Sequence, residues 1–146
     1  VNPLLPDQTA SPQVFAEKLV ELIRCNGLLG RAMVQSFDWE VLRLCKQLEP
    51  TIQTSALVLH REGASTIAGF ADRSPYLAGF DLSQFAGDMV KLVQAIGFVD
   101  IYSPNFETLL PESPSFLQSV SAFQTAGFSV IPWTVNQVSL MQRLIH

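Results

Sequence analysis

Apolar residues in the first part of the chain recur at two different periods. Phe15, Leu19, Leu22 and Ile23 stand at i, i+4, i+7 and i+8, the spacing of one helix face. Ser11 is a suitable N-cap for that helix, Pro12 suits its first position, and Asn26-Gly27 ends it. The short apolar run from Arg31 to Ser36 predicts a buried strand. Asp38 can then cap a second helix whose face is Val41, Leu44, Cys45 and Leu48, with Pro50 just beyond. The run from Thr54 to Leu59 predicts a second strand.

Residues 60–84 lose any clean period. Gly63, Gly69 and Gly79, with Gly87 just past the end and Pro75 within, predict a long loop or insertion. Helical spacing returns at Met89, Val90, Leu92, Val93 and Ile96 and is closed by Gly97; Phe98 to Tyr102 predicts a third strand. A linker containing Pro104, Pro111 and Pro114 leads to a helix with Phe116, Val120 and Phe123 on one face, ended by Gly127. Ser129 to Trp133 predicts a fourth strand, with Pro132 near its end, where a missing N–H is tolerable. The last helix starts at about Gln137 and points Val138, Met141 and Ile145 inward.

The order is one helix followed by four strand–helix units, which implies parallel strands and right-handed crossovers. Such units fit a small open doubly wound sheet or half of a (β/α)8 barrel. Neither the Rossmann glycine fingerprint nor the phosphate loop with its Lys is present, which weakens a nucleotide-binding reading.

Composition narrows the classes. Among 146 residues, 48% are hydrophobic and 15% charged, with ten Phe, enough for a sizeable core and unlike a disordered chain. The net charge of −4 and the scattered basic residues exclude an electrostatic nucleic-acid binder. No apolar run reaches the roughly 18 residues of a membrane span. The opening Val1-Asn2-Pro3 has neither an initiator Met nor a signal peptide, so the expectation is a piece of something longer. Cys25 and Cys45 fall late in predicted helices and are expected as buried, reduced thiols; a disulfide between them is the alternative and would need an oxidising compartment.

In either architecture ligands bind beyond the C-terminal ends of parallel strands. Those ends hold Gln35-Ser36-Phe37-Asp38, Leu59-His60, Tyr102-Ser103-Pro104-Asn105 and Trp133-Thr134-Val135-Asn136. They supply amides, hydroxyls and aromatics, without a Ser-His-Asp spacing or a His-x-x-x-His pair, so no catalytic residue is assigned. Asp100, Glu107 and Glu112 are too dispersed for a metal cluster, and no metal ligand is assigned either. Asp38 is read as a helix cap, His60 as a solvent-facing loop histidine, and His146 as a frayed terminal residue.

Gln35-Ser36-Phe37-Asp38 after an apolar strand resembles the Gln-Ser-Phe-Asp element of the glycerophosphodiester phosphodiesterase family. The stretch Ala126-Gly127-Phe128-Ser129-Val130-Ile131-Pro132-Trp133-Thr134-Val135-Asn136 is similar to that family's late strand, and the helix after it holds Met141 and Leu144-Ile145. Ser74-Pro75-Tyr76-Leu77-Ala78-Gly79-Phe80-Asp81 resembles a feature of one bacterial branch. The three fall in the family's order and span nearly the whole chain.

The resemblance implies a (β/α)8 TIM-barrel fragment, about strands four to seven with their helices, from an enzyme that hydrolyses glycerophosphodiesters to glycerol 3-phosphate and an alcohol. It implies a divalent cation, Mg or Ca, in the intact parent, with two histidines as acid and base. The family's His-Arg-Gly, Glu-x-Asp, His-Asp and Glu-x-Lys motifs would lie upstream, and its Gly-x-Asp-Gly-Ile-Ile-Thr-Asp strand downstream. His60-Arg61-Glu62-Gly63 nearly spells His-Arg-Gly but has an extra residue and follows the wrong strand, so no catalytic role is carried over. This chain alone is therefore expected to be inactive and to bind no cation.

For the substrate pocket the resemblance singles out Trp133 as a wall, with core packing the alternative, and Phe37 likewise. Gln35 is expected to point inward, either orienting catalytic groups or only filling the barrel interior; Asn136 either lines the pocket or caps the last helix. The small-molecule partner is a glycerophosphodiester. A half-barrel would expose an apolar inner face and two strand edges, so self-association or complementation by the other half is also expected. A catalytically empty barrel acting as a binding or scaffolding domain is the alternative function, with an independent four-stranded α/β module behind it. Cytoplasm and periplasm both remain open as the compartment.

Overall fold

The protein is described here by a computed structural model of residues 1–71 and 73–145; the expectation for His146 falls outside the described residues. Helix α1 (Pro12–Cys25) begins where Ser11 Oγ accepts from Val14 N at 3.3 Å, with Pro12 in the first turn. Its buried stripe is Ala16, Val20 and Ile23; of the expected face Ile23 is buried and Leu19 packs partly against the core, whereas Phe15 and Leu22 are exposed, so the face is rotated from the expected one. Both stripes have the same helical period and lie about 100° apart. Helix α1 packs against helix α2 (Trp39–Leu48), and that packing selects the buried stripe. Cys25, the last residue of α1, lies off the stripe and is exposed, while Cys45 in α2 is buried and its thiol is pushed up to about 11 by burial.

The strands are β1 (Met33–Ser36), β2 (Gln53–Val58), β3 (His60–Arg61), β4 (Ala64–Ser65), β5 (Ile101–Pro104) and β6 (Ser129–Val130). Four of them form a parallel sheet in the order β1-β2-β5-β6, with Val34 opposite Thr54, Ser55 opposite Ile101 and Tyr102 opposite Val130. The order of chain and sheet agrees, as successive strand–helix units of a barrel require. Helix α3 (Met89–Ile96) starts where Asp88 accepts from Lys91 N at 3.1 Å and ends at Gly97, which takes the left-handed φ of +67°.

Strand alternation separates two faces. Val34, Ala56, Val58 and Tyr102 join the core beneath the helices, where Tyr102 stacks on Phe123 of helix α4 (Val120–Thr125) with centroids 3.9 Å apart. The opposite face carries Gln35, Ser55 and Ser103, joined through Gln35 Nε2 to the two hydroxyls at 3.4 and 3.1 Å. Met33 and Ile131 flank this polar row and are exposed.

Three expected boundaries move. The third strand starts at Ile101 rather than Phe98, because Phe98 O accepts from Thr54 Oγ1 at 2.7 Å and is thereby drawn out of the ladder. The fourth ends at Val130, with one further bridge between Asn105 and Trp133. Phe116 lies outside α4 and is exposed, since Phe116 N donates to Ser113 O and Leu117 N to Thr108 O, and Ser119 caps the helix only afterwards. In helix α5 (Val138–Ile145), Val138, Met141 and Ile145 are exposed instead of inward: no element of the described chain covers that stripe.

The long segment after β2 is more ordered than its irregular pattern suggested. His60 pairs with Ser65 and Arg61 with Ala64 in an antiparallel hairpin, whose turn uses Gly63 at φ +74°. Tyr76 O then accepts from Trp39 N at 2.9 Å, and Ile67 and Leu77 enter the core.

Asp100 clamps the N-terminal end of the sheet: its carboxylate accepts from Thr54 N at 2.8 Å and pairs with Lys46 at 2.8 Å. Asp100→Ala removes that acceptor, so unfolding in urea should show a loss of about 1–3 kcal/mol. Asp38, 1% exposed, caps α2 through Oδ1 to Glu40 N at 3.1 Å, while Oδ2 has no hydrogen-bond partner. Burial raises its carboxyl above the ordinary value, against the bond from Glu40 N, which lowers it. The folded state therefore favours the protonated acid, and that stability is present below the unfolded value and is lost as pH rises through the folded one. Asp38→Asn keeps the cap without a buried charge; its Tm should exceed the parent's at pH 7, by about 3 °C per kcal/mol gained, and the difference should vanish below pH ~3.8.

Candidate functional site

The C-terminal ends of the strands gather at one edge of the sheet. Phe37 follows β1, Leu59 follows β2, Asn105 follows β5, and Trp133 lies three residues beyond β6. Phe37, Leu59, Arg61, Phe106, Glu107 and Trp133 line a cleft of about 410 Å³ there. A neighbouring hollow of about 630 Å³ lies along the hairpin, between Arg61 and Tyr76.

Trp133 is held at three atoms. Its indole Nε1 donates to Ser103 O at 2.9 Å, its backbone N donates to Pro104 O at 3.0 Å, and its carbonyl accepts from Phe106 N at 2.8 Å. The indole N–H is thus satisfied inside the protein while the ring lines the cleft. The Phe37 ring meets it edge to face, with centroids 5.7 Å apart and planes at 90°.

Asn105 organises the other side. It is 3% exposed; its Oδ1 accepts from His60 N at 2.8 Å, and its Nδ2 donates to His60 O at 3.1 Å and to Glu107 Oε2 at 3.0 Å. One amide therefore fixes both the start of the hairpin and a carboxylate at the cleft. His60 is part of a strand and half-buried, which corrects the expected solvent-facing loop position. Its Nδ1 lies 3.0 Å from Ser65 Oγ, and burial holds the imidazole below its ordinary pKa, so it is neutral at pH 7.

Of the residues expected to form a pocket, Trp133 and Phe37 meet in the cleft. Gln35 lies apart from it on the polar face of the sheet, bonded to Ser55 and Ser103. Asn136 is exposed, and the first backbone bond of α5 runs from Met141 N to Gln137 O. Arg61, Asn105 and Glu107 were not singled out for a pocket; Asn105 stood at a strand end, but nothing in its spacing indicated its link to Glu107.

The acids are far apart in role. Asp100 serves the opposite end of the sheet, Glu112 pairs with Arg143 on the surface, and Glu107 is held by Asn105. Among the described residues no three His, Cys, Asp or Glu side chains converge, so these donors do not fit a divalent cation. No helix among the described residues is long and apolar enough to cross a membrane.

The fold has a counterpart among solved structures. A chain from Silicibacter pomeroyi DSS-3 assigned as a glycerophosphoryl diester phosphodiesterase superposes with a TM-score of 0.68 at 22% identity. The match covers 99% of this chain and 41% of that one, so the present chain spans less than half of its neighbour's length. The four parallel strands with their helices are accordingly a portion of a TIM barrel. No curated protein sequence matches. The model of the glycerophosphoryl diester phosphodiesterase family matches residues 13–146, nearly the whole chain, and the chain belongs to that family.

Proposed function

We propose that this chain is the C-terminal part of a barrel that hydrolyses glycerophosphodiesters to glycerol 3-phosphate and an alcohol, and that it forms one wall of the substrate pocket. The family match over residues 13–146 carries this reading. Its support in the geometry is the aromatic cleft at the C-terminal strand ends, the face on which barrel enzymes place their chemistry.

In this reading the acid, the base and the residues holding a divalent cation come from other strands of the barrel. The residues in hand bind and orient. Trp133 and Phe37 present apolar ring surface to the carbon atoms of the substrate and keep water from that side. The bond from Trp133 Nε1 to Ser103 O locks the ring, so little side-chain freedom is lost on binding. Gln35 stands on the inner face, bonded to two hydroxyls, where it orients polar groups entering from the barrel's other half. The exposed Met33 and Ile131 are covered when those strands close the barrel.

Two assays test the assignment. With glycerophosphocholine and Mg²⁺ or Ca²⁺, residues 1–146 alone should release no glycerol 3-phosphate above blank, while a longer polypeptide supplying the remaining strands should do so. Turnover by the isolated chain would place the chemistry within these residues and overturn the division of labour. In the longer polypeptide, Trp133→Ala should raise KM roughly tenfold with little change in kcat, because it removes wall contacts made equally by ground and transition states. An unchanged KM with a collapsed Tm would make Trp133 a packing residue.

A further inference from the structure

Two side chains among the described residues, Thr9 and Asp38, each keep a buried polar atom without a hydrogen-bond partner while lining the same cavity. The cavity has a volume of about 350 Å³ and lies between the starts of α1 and α2, where Ser11, Pro12 and Glu40 also face it. It shares no lining residue with the aromatic cleft around Trp133. Asp38 is 1% exposed, and only its Oδ1 is used, in capping α2. Oδ2 and Thr9 Oγ1 do not bond each other, so each is left for a group that enters beside them. Burial makes an unmet carboxylate oxygen costly and a bond to it strong.

The charges around the cavity select what can fill it. A helix N-terminus ordinarily attracts anions, but here the Ser11 and Asp38 side chains already accept from the first turns, and the carboxylate repels a second negative charge. A divalent cation needs several oxygen ligands, and the other carboxylate, Glu40, has both oxygens held by Arg43. Burial raises the Asp38 carboxyl; the Val1 ammonium pulls against that from a distance and forms no ion pair with it. A single positive charge is thus favoured, and its direct contact is open. Most of the remaining wall is Pro3, Pro6, Pro12 and Pro75, rings suited to an alkyl chain, and the space exceeds a bare monovalent ion. Leu4 to Gln8 are exposed throughout, so that side can yield to admit a ligand. We propose that this cavity binds a small primary alkylammonium ion, which donates to Asp38 Oδ2 and Thr9 Oγ1 while its chain rests on the proline rings. The site is separate from the phosphodiesterase reading and stands without it.

The test is a calorimetric titration of residues 1–146 at pH 7 with n-butylammonium, 1-butanol and tetramethylammonium. n-Butylammonium should bind saturably, with a Kd on the order of 1 mM. 1-Butanol lacks the charge and tetramethylammonium lacks an N–H donor, so each should bind at least about tenfold more weakly. Asp38→Asn keeps the helix cap and should weaken n-butylammonium at least about tenfold, while its melting curve shows separately that the variant is folded. Thr9→Val, of nearly equal size, should weaken it about threefold. No saturable binding, equal binding of the alcohol or of tetramethylammonium, displacement by equimolar potassium, or an affinity unaltered by Asp38→Asn would each overturn the proposal.

Discussion

The structure depends on a clamp at each end of its central strand pair. At the N-terminal end Asp100 N donates to Thr54 O, and the Asp100 carboxylate accepts from Thr54 N in return. At the C-terminal end Asn105 N donates to Val58 O, and the Asn105 side chain continues the pairing onto both backbone polar atoms of His60. Parallel strands meet only after a long crossover, and a slip of one residue would turn every side chain to the wrong face. Two side chains that each pair with backbone groups make such a slip costly, because it would leave several buried polar atoms unpaired.

The two clamps have different consequences. The lower one is purely architectural, joining β2, the entrance to β5 and, through Lys46, the end of α2. The upper one reaches the site. By closing on His60 it fixes where the hairpin leaves the sheet, and so where Arg61 stands; by donating to Glu107 it sets a carboxylate at the same mouth. Trp133 is tied into this arrangement by the exchange of backbone bonds with Pro104 and Phe106 on either side of Asn105. The aromatic wall and the charged wall of the cleft are thus held by neighbouring residues of one strand end.

The sheet's two faces explain why these strands are short and of mixed composition. One face is pressed against helices and carries Val34, Ala56, Val58 and Tyr102. The other carries a hydroxyl–amide–hydroxyl row in which Gln35 Nε2 donates to Ser55 Oγ and Ser103 Oγ, while Ser103 Oγ donates onward to Ile131 O, so polar side chains on this face find partners within the sheet. Apolar Met33 and Ile131 beside that row are exposed, as are Val138, Met141 and Ile145 on α5.

The order of the four main strand–helix units, the starts of α1, α2 and α3 and the parallel arrangement follow from local patterns, and the sequence by itself determined them. Ser11, Asp38 and Asp88 cap helices because a short oxygen-bearing side chain before an apolar stripe satisfies the first free N–H groups wherever it occurs. Strand ends could be located for the same reason, which is why Phe37 and Trp133 were recognisable as facing one mouth. Only the tertiary structure decided which of two equally periodic stripes on α1 is buried, since that depends on the shape of α2. It alone joined Asn105 to His60 across 45 residues of chain and thereby brought Arg61 and Glu107 to one cleft. A hydrogen bond between residues so far apart leaves no period or spacing in the sequence; it exists only once the strands are paired.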